Sequence, residues 1–404
     1  MTTVPLPHRE DWPDFRHHWS IDPDCIYLNH GSFGPSPICV QERRRSLIDE
    51  LESQPMSFLV RKLPDYFQEA ATALASFLRC EVDSIAFVPN ATSAMNVVAQ
   101  NLDLSPDDEV LLTDHEYGAV VRIWGQRCAR SGAKTTRVRL PDLFENDDEI
   151  VEAIAAAVSP KTKVLVVSHV TSATGLILPI QKICRAAKER GLIVVVDGPH
   201  APAMVNVNLE ELDCDFYCAS CHKWMSAAFG SGFLYVRRRY KQGLMPTVTS
   251  WGRNLDGREF NWRDEFHWPG TVDPTTYLTV GTAISFLEEI GLPRFREQTH
   301  SLAQYARVRL LELTERSPLS TDSDQWNGSM VTVPIDVPIP ENLKPHDPHP
   351  LQRFLASQGV ETLFVDWRGE CYLRVSCHLY NSPEQIDRLI ELLLESKMLQ
   401  SKGD

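Results

Sequence analysis

Gly191-Leu192-Ile193-Val194-Val195-Val196-Asp197 is a short continuous apolar run closed by a carboxylate. Such a run is typical of a parallel β-strand buried on both faces. In open α/β sheets, chemistry gathers at the carboxyl ends of these strands, which is where Asp197 falls. Downstream, Asp215-Phe216-Tyr217-Cys218-Ala219-Ser220 reads as another strand. Cys221-His222-Lys223-Trp224 follows it directly, ahead of the glycine-bearing Phe229-Gly230-Ser231-Gly232. Lys223 is therefore a candidate covalent nucleophile at one strand end, and Asp197 a carboxylate at another. A loop lysine and a turn aspartate also have ordinary roles, as solvated side chain and cap, so the reading depends on what else converges there.

Working outward, strands and helices alternate. Ile85 to Val88, Glu109 to Thr113, Thr135 to Val138, Lys163 to Ser168 and Gly232 to Arg238 read as strands. Helical patterns lie at Tyr117 to Ser131, Asp147 to Val158 and Ile180 to Arg190. Repeated units of this length predict a mainly parallel sheet with helices on both faces, a three-layer αβα domain. Asn90 is a good N-cap, and the small residues Ala91, Thr92 and Ser93 leave backbone N–H groups open to an anion. Thr113 is followed by Asp114-His115-Glu116-Tyr117, Ser168 by His169-Val170-Thr171-Ser172-Ala173-Thr174-Gly175, and Asp197 by Gly198-Pro199-His200. A flat ring such as Tyr117 can stack on a pyridine, and Ser172 or His200 can hydrogen-bond a phenolic oxygen. A Schiff-base lysine and an acid for a pyridinium nitrogen are the requirements of pyridoxal phosphate. Neither a Walker loop nor G-x-G-x-x-G is present, which removes the main support for nucleotide chemistry.

At its start the chain carries an Ile-Tyr-Leu strand running into Asn29-His30-Gly31-Ser32-Phe33-Gly34-Pro35, a turn that brings backbone close to something. A helical pattern from Gln41 to Leu78 is interrupted at Pro55 and Pro64. Trp251 to Thr276 is hard to read as regular structure, and Gly270-Thr271 within it resembles a second phosphate contact. Beyond Tyr277 come helices at Val280 to Ile290 and Pro293 to Glu315, strands near Met330 to Val333 and Tyr372 to Ser376, a proline-rich exposed loop at Pro338 to Pro350, and a closing helix at Pro383 to Met398. Arg374 is a charge inside an apolar strand, suited to gripping a carboxylate in two bonds. The expected division is an N-terminal segment 1–24 packing with the small domain, a large domain 25–276 and a small C-terminal domain 277–404.

The 404 residues carry a net charge of -14, which disfavours nucleic acid and anionic membranes as partners. Residues Met1 to Ser20 lack the apolar core of a signal peptide, and ten scattered cysteines suit a reducing compartment, the cytoplasm. Cys214, Cys218 and Cys221 have the C-x3-C-x2-C spacing of an iron-sulfur site. The strand reading of residues 215–220 removes the loop such a cluster needs, so no metal is expected.

Taken together, Tyr27 to Gly34, Asn90 to Asn96, Ser168 to Gly175, Val196 to Ala201 and Ser220 to Lys223 resemble, in order, the motifs of the class V aminotransferase family of fold-type I enzymes dependent on pyridoxal phosphate. The pattern is similar to isopenicillin N epimerase-like members, with cysteine desulfurases and ergothioneine-pathway C-S lyases as cousins. The resemblance implies Lys223 as the Schiff-base lysine, Asp197 as pyridinium partner, and Tyr117 as the stacking group where desulfurases carry a histidine. It implies phosphate contacts from Thr92, Ser220 and His222, with Thr271 supplied across a homodimer interface. Ser172 and His200 fall near the phenolic oxygen, Arg374 on the substrate carboxylate, and Asn29 and His30 on the substrate side. Desulfurases need a mobile cysteine ahead of the arginine strand, and Glu361 to Glu370 has none. The implied partner is a small amino acid. Tyr117, His30 and His169 are candidates for a second acid in an epimerisation, and a C-S lyase, an aminotransferase or a non-catalytic protein on the same fold are the alternatives.

Overall fold

The computed structural model describes residues 12–250, 261–337 and 347–399. The expectations that fall on residues 1–11, 251–260 and 338–346 lie outside them. In chain order the strands are β1 (Ile26–Tyr27), β2 (Ile85–Val88), β3 (Glu109–Thr113), β4 (Lys134–Val138), β5 (Thr162–Ser168), β6 (Ile193–Asp197), β7 (Phe216–Ser220), β8 (Gly232–Val236), β9 (Met330–Pro334), β10 (Val360–Glu361), β11 (Leu363–Trp367) and β12 (Glu370–Ser376).

Strands β2 to β8 form one sheet in the order β2-β8-β7-β6-β5-β3-β4. Pairs from β7 to β4 are parallel, and β8 alone runs against both of its neighbours. The link from β7 to β8 contains no helix, and without a crossover a chain can return only antiparallel. That helix-free link carries Lys223. Because β2, β3, β5, β6 and β7 share one direction, Val88, Thr113, Ser168, Asp197 and Ser220 all end on the same edge.

Both faces of the sheet are covered, as continuous apolar runs require. Alternate residues serve alternate faces. Val110, Leu112, Val164, Val166 and Val195 pack with Met95, Val98 and Trp124 of the helices Ala91–Asn101 and Gly118–Ser131. Leu111, Leu165, Val167, Val194 and Val196 pack on the opposite face with Leu74, Ile183 and Leu287. Each such side chain contributes about 1.5–3 kcal/mol by leaving water.

A second cluster joins β9, β11 and β12 to the helices Leu292–Thr314, Pro350–Ser357 and Pro383–Glu395. Leu28 belongs to it, and β1 pairs in parallel with β10. The Ile-Tyr-Leu strand thus packs with this second cluster. Asn29 bridges to Ser376, so the glycine-bearing loop starts beside the arginine strand. Pro64 does not interrupt its helix: a π-helical turn, Ser57–Lys62, leads directly into Leu63–Leu78, where proline in the first turn is tolerated. Within Trp251 to Thr276, the short helices Asp264–His267 and, at its end, Thr275–Leu278 replace irregular chain.

Candidate active site

The lysine loop is held from three sides. Ser226 N–H donates to the Lys223 carbonyl at 2.7 Å, Ala227 N–H to Cys221 O at 3.1 Å, and Cys221 N–H to Ser231 O at 2.9 Å. Ser226 adopts φ +57°, a left-handed conformation that costs about 1–2 kcal/mol in a residue with a Cβ. His30 makes the other contact, its Nε2 lying 3.1 Å from the Lys223 carbonyl. A carbonyl only accepts, so Nε2 carries the hydrogen and Nδ1 accepts from the Tyr380 hydroxyl at 2.8 Å. Burial drives His30 down to about 3, leaving it neutral. His30 was expected as a substrate-side catalytic group. Its Nε2 is instead taken by the Lys223 carbonyl and its Nδ1 by the Tyr380 hydroxyl, so both ring nitrogens already have partners within the protein. A Cβ at Gly34 would lie 2.5 Å from His30 Nε2, which explains the glycine.

The Lys223 amine turns inward to His200, with Nζ 2.9 Å from Nε2. On the other side of that ring, Trp224 Nε1 donates to Nδ1 across a long 3.4 Å. Indole nitrogen is a donor only, so Nδ1 accepts and Nε2 bears the hydrogen of the neutral ring. Lys223 must then accept, which requires a neutral amine. Burial lowers the lysine in the same sense, helped by the Arg374 charge and opposed by Asp197. His200, expected near a phenolic oxygen, here faces the nucleophile.

Asp197 is 4 % exposed, and its carboxylate has no hydrogen-bond donor among the described residues. Burial raises its proton affinity, the neighbouring Glu116 charge adds to that, and Lys223 opposes. A Cβ on Gly198 would fall 2.1 Å from the Tyr217 ring, so only glycine fits where the chain leaves Asp197. The electrostatics give a testable sign. A carboxyl whose folded value is raised binds more protons folded than unfolded, so its contribution declines as pH rises from about 4 toward neutrality. In cofactor-free protein, the stability of wild type relative to Asp197→Asn should fall by about 1–3 kcal/mol between pH 5 and 8, measured by urea unfolding. A difference independent of pH would remove the buried ionised carboxylate.

The phosphate cup differs in detail from expectation. Asn90 caps the helix by accepting Ser93 N–H at 2.9 Å, and Ala91 N–H is given to Ser220 Oγ at 3.0 Å. Ala91 and Ser93 thus have no backbone donor to spare. Thr92 is exposed and its N–H has no partner among the described residues, and the Ser220 hydroxyl hydrogen stays available. His222 donates from Nδ1 to Ser231 O at 3.2 Å, leaving Nε2 outward. No hydrogen bond joins Thr271 to this cup among the described residues, and it lies exposed. Tyr117 stands half exposed at the start of Gly118–Ser131. His169 is tied to the Tyr217 hydroxyl at 2.9 Å, and burial lowers it to about 4.

Arg374 completes the pocket. It is 2 % exposed, donates to Ser172 O at 2.5 Å and Ser32 Oγ at 2.7 Å, and reaches Asn29 Oδ1 at 3.4 Å. Its Nε has no partner, and no carboxylate pairs with it among the described residues. Burial lowers it to about 10, a guanidinium still charged and lacking a counter-ion. Ser32 is a contact the sequence reading missed.

Strand β12 carries Arg374 within a tight β11–β12 hairpin that turns at Arg368-Gly369. Arg368 reaches Asp114 and Asp142 at 2.5 Å and lies over the Trp367 ring. The segment that would need a mobile cysteine is therefore a pinned hairpin. Cys371 is buried in β12 and burial raises its thiol to about 11. Cys214, Cys218 and Cys221 are buried in or beside β7, and no metal-ligand group occurs among the described residues.

A neutral lysine, an orphaned buried carboxylate, an anion cup at a helix start and an unpaired guanidinium fit an anionic aldehyde cofactor with a cationic ring, and this donor set on this sheet is that of a fold-type I pyridoxal-phosphate enzyme. The family model for "Aminotransferase class-V" matches residues 52–389. The isopenicillin N epimerase of Streptomyces clavuligerus is 34% identical over 95% of this chain and 98% of its own. A probable cysteine desulfurase of Halalkalibacterium halodurans is 28% identical over 92% and 93%. Among solved structures, the cystine C-S lyase C-DES, in complex with its product cysteine persulfide, superposes with TM-score 0.80 at 22% identity, covering 92% of this chain and 97% of that one. This chain belongs to the class V aminotransferase family.

Proposed function

We propose that the protein is a pyridoxal-phosphate enzyme acting at the α-carbon of an amino acid, with epimerisation as its reaction. The observation that carries the reading is the pairing of a neutral Lys223 with an unpaired, buried Arg374 across one pocket. When bound, pyridoxal phosphate supplies the electron sink that lets an α-carbon give up its proton. Lys223 is the covalent attachment point and, once displaced, the base. Its amine is held neutral by His200 and by burial, as a general base near pH 7 must be. Asp197 holds the proton at the ring-nitrogen position. Thr92, Ser220 and His222 take the phosphate. Arg374, oriented by Ser32, Asn29 and Ser172, takes the α-carboxylate. Tyr117 covers the ring and is the group we assign to return a proton from the opposite side.

Several features favour epimerisation over persulfide chemistry. The hairpin at Arg368-Gly369 is pinned, and Cys371 is buried with a suppressed thiolate, whereas a sulfur-accepting cysteine must be exposed and ionised. The 34% identity to an isopenicillin N epimerase supports the same choice. Exposed Phe33, Tyr117, Phe229 and Val272 support a homodimer in which a second copy covers the mouth and brings Thr271 to the cup. No helix among the described residues is long and apolar enough to cross a membrane, and ten free cysteines fit a reducing, cytoplasmic setting.

The reaction is tested by incubating the holoenzyme with a panel of L-amino acids and small peptides bearing a free α-amino acid end, in deuterated water. Chiral and mass analysis should find one deuteron at the α-carbon with inversion. Loss of a β- or γ-fragment would overturn epimerisation in favour of a lyase, and keto-acid formation in favour of an aminotransferase.

A further inference from the structure

Glu116 plays no part in the roles above, yet its carboxyl is turned in toward the ends of β3 and β5 and held there. Its Oε1 accepts from Thr113 Oγ1 at 2.7 Å and from Ser168 N–H at 3.1 Å, and its Oε2 accepts from Ser168 Oγ at 2.7 Å. Thr113 and Ser168 are both buried. The Thr113 hydroxyl oxygen already accepts His115 N–H at 3.2 Å, so its hydrogen points to Glu116. Three donors converge on this carboxyl with no competing acceptor, the environment of a carboxylate. Ser168 on β5 is the register partner of Asp197 on β6, and β3, which leads to Glu116, flanks β5 on its other side. Asp197, Ser168 and Glu116 therefore come from three adjacent strands at one edge.

We propose that Glu116 is a positioning residue that acts through Asp197: its carboxylate sets a second negative charge behind Asp197 and strengthens the hold of Asp197 on a protonated ring nitrogen. This rests on the assignment of Asp197 as that nitrogen's partner. The charge of Glu116 is the largest raising influence on Asp197 after burial. Burial lifts Glu116 itself to about 7, against the pull of its three donors, with Asp114 adding to the lift. The other groups facing the pair are Lys223, which opposes it, and Tyr217 and Cys218, which burial keeps protonated. His169 and His115 are neutral, held on Tyr217 and Thr174. Like charges confined together raise proton affinity nearby, and a cationic ring nitrogen is the group that gains.

The test follows the ring-nitrogen NMR signal of holoenzyme rebuilt with 15N-ring-labelled pyridoxal phosphate, from pH 5 to 10. In Glu116→Gln the nitrogen should release its proton at least about one pH unit below wild type. Glu116→Asp, which keeps the charge, should return the titration toward wild type. Thr113→Val, which removes one donor and leaves the carboxyl, should shift it in the same direction as Glu116→Gln by less, and serves if that variant does not fold. Titrations of Glu116→Gln or Thr113→Val that coincide with wild type would overturn the proposal. Asp197→Asn separates the two levels. If it leaves the nitrogen signal unmoved, the cofactor assignment itself fails. If it moves the signal while the Glu116 and Thr113 variants do not, only the role of Glu116 fails.

Discussion

Lys223→Ala is expected to abolish turnover, lowering kcat by at least about 10⁴-fold, since positioned proton transfer alone is worth about 10²- to 10⁴-fold and covalent attachment is lost with it. The loss should come without unfolding. In wild type the inward amine is kept neutral at the expense of its proton, so removing it relieves a burial cost, and the variant should melt at or above the wild-type temperature in cofactor-free form. Its visible absorbance should shift from that of lysine-bound to that of free, non-covalently held cofactor. Small primary amines should restore part of the rate, because an amine diffusing into the vacated space can take the proton. Retention of the lysine-bound absorbance, or of more than a tenth of the rate, would remove Lys223 from the chemistry.

Arg374→Ala should act on substrate recognition. Its guanidinium is buried, charged and without a counter-ion, so an incoming carboxylate meets a desolvated cation already oriented by Ser32 and Ser172. Truncating one partner of such a pair costs about 2–5 kcal/mol in kcat/KM, or about 30- to 5000-fold. Cofactor content should not change, since no cup residue hydrogen-bonds to Arg374. Arg374→Lys should recover little, because an ammonium cannot replace a planar fork that donates in several directions at once. Steady-state kinetics with a substrate and its α-carboxamide decide the matter. The amide should be penalised in wild type and not in the variant, and equal discrimination by both would assign the carboxylate elsewhere.

How much of this was legible in the chain depended on how local each signal was. Strands β6 and β7 could be read because a strand buried on both faces leaves an uninterrupted apolar run, and the residues closing those runs, Asp197 and Ser220, fall at its end by construction. Strand β11 could not: Leu363-Phe364-Val365-Asp366-Trp367 is only partly buried, and its position depends on Arg368 reaching Asp114 in the other unit. The same holds for β1, two residues long and fixed by β10 from the far end of the chain. His30 could be placed at the site but not its hydrogen bonds, because a histidine facing a substrate and one donating to a carbonyl have the same neighbours in sequence. Only Tyr380 and the Lys223 backbone, both remote, distinguish them. Ala91 and Ser93 illustrate the limit on a finer scale. A helix start supplies N–H groups, but the Asn90 and Ser220 side chains determine which remain free. Glu116 was in view beside Tyr117 and gave no signal, since a carboxylate becomes notable only when Thr113 and Ser168 close over it.

Reduction of the holoenzyme with borohydride, followed by proteolysis and mass spectrometry, tests the central assignment most directly. A pyridoxyl group on Lys223, and on none of the other lysines, is the expected result. A modified lysine elsewhere, or a protein that binds the cofactor without any reducible link, would contradict it.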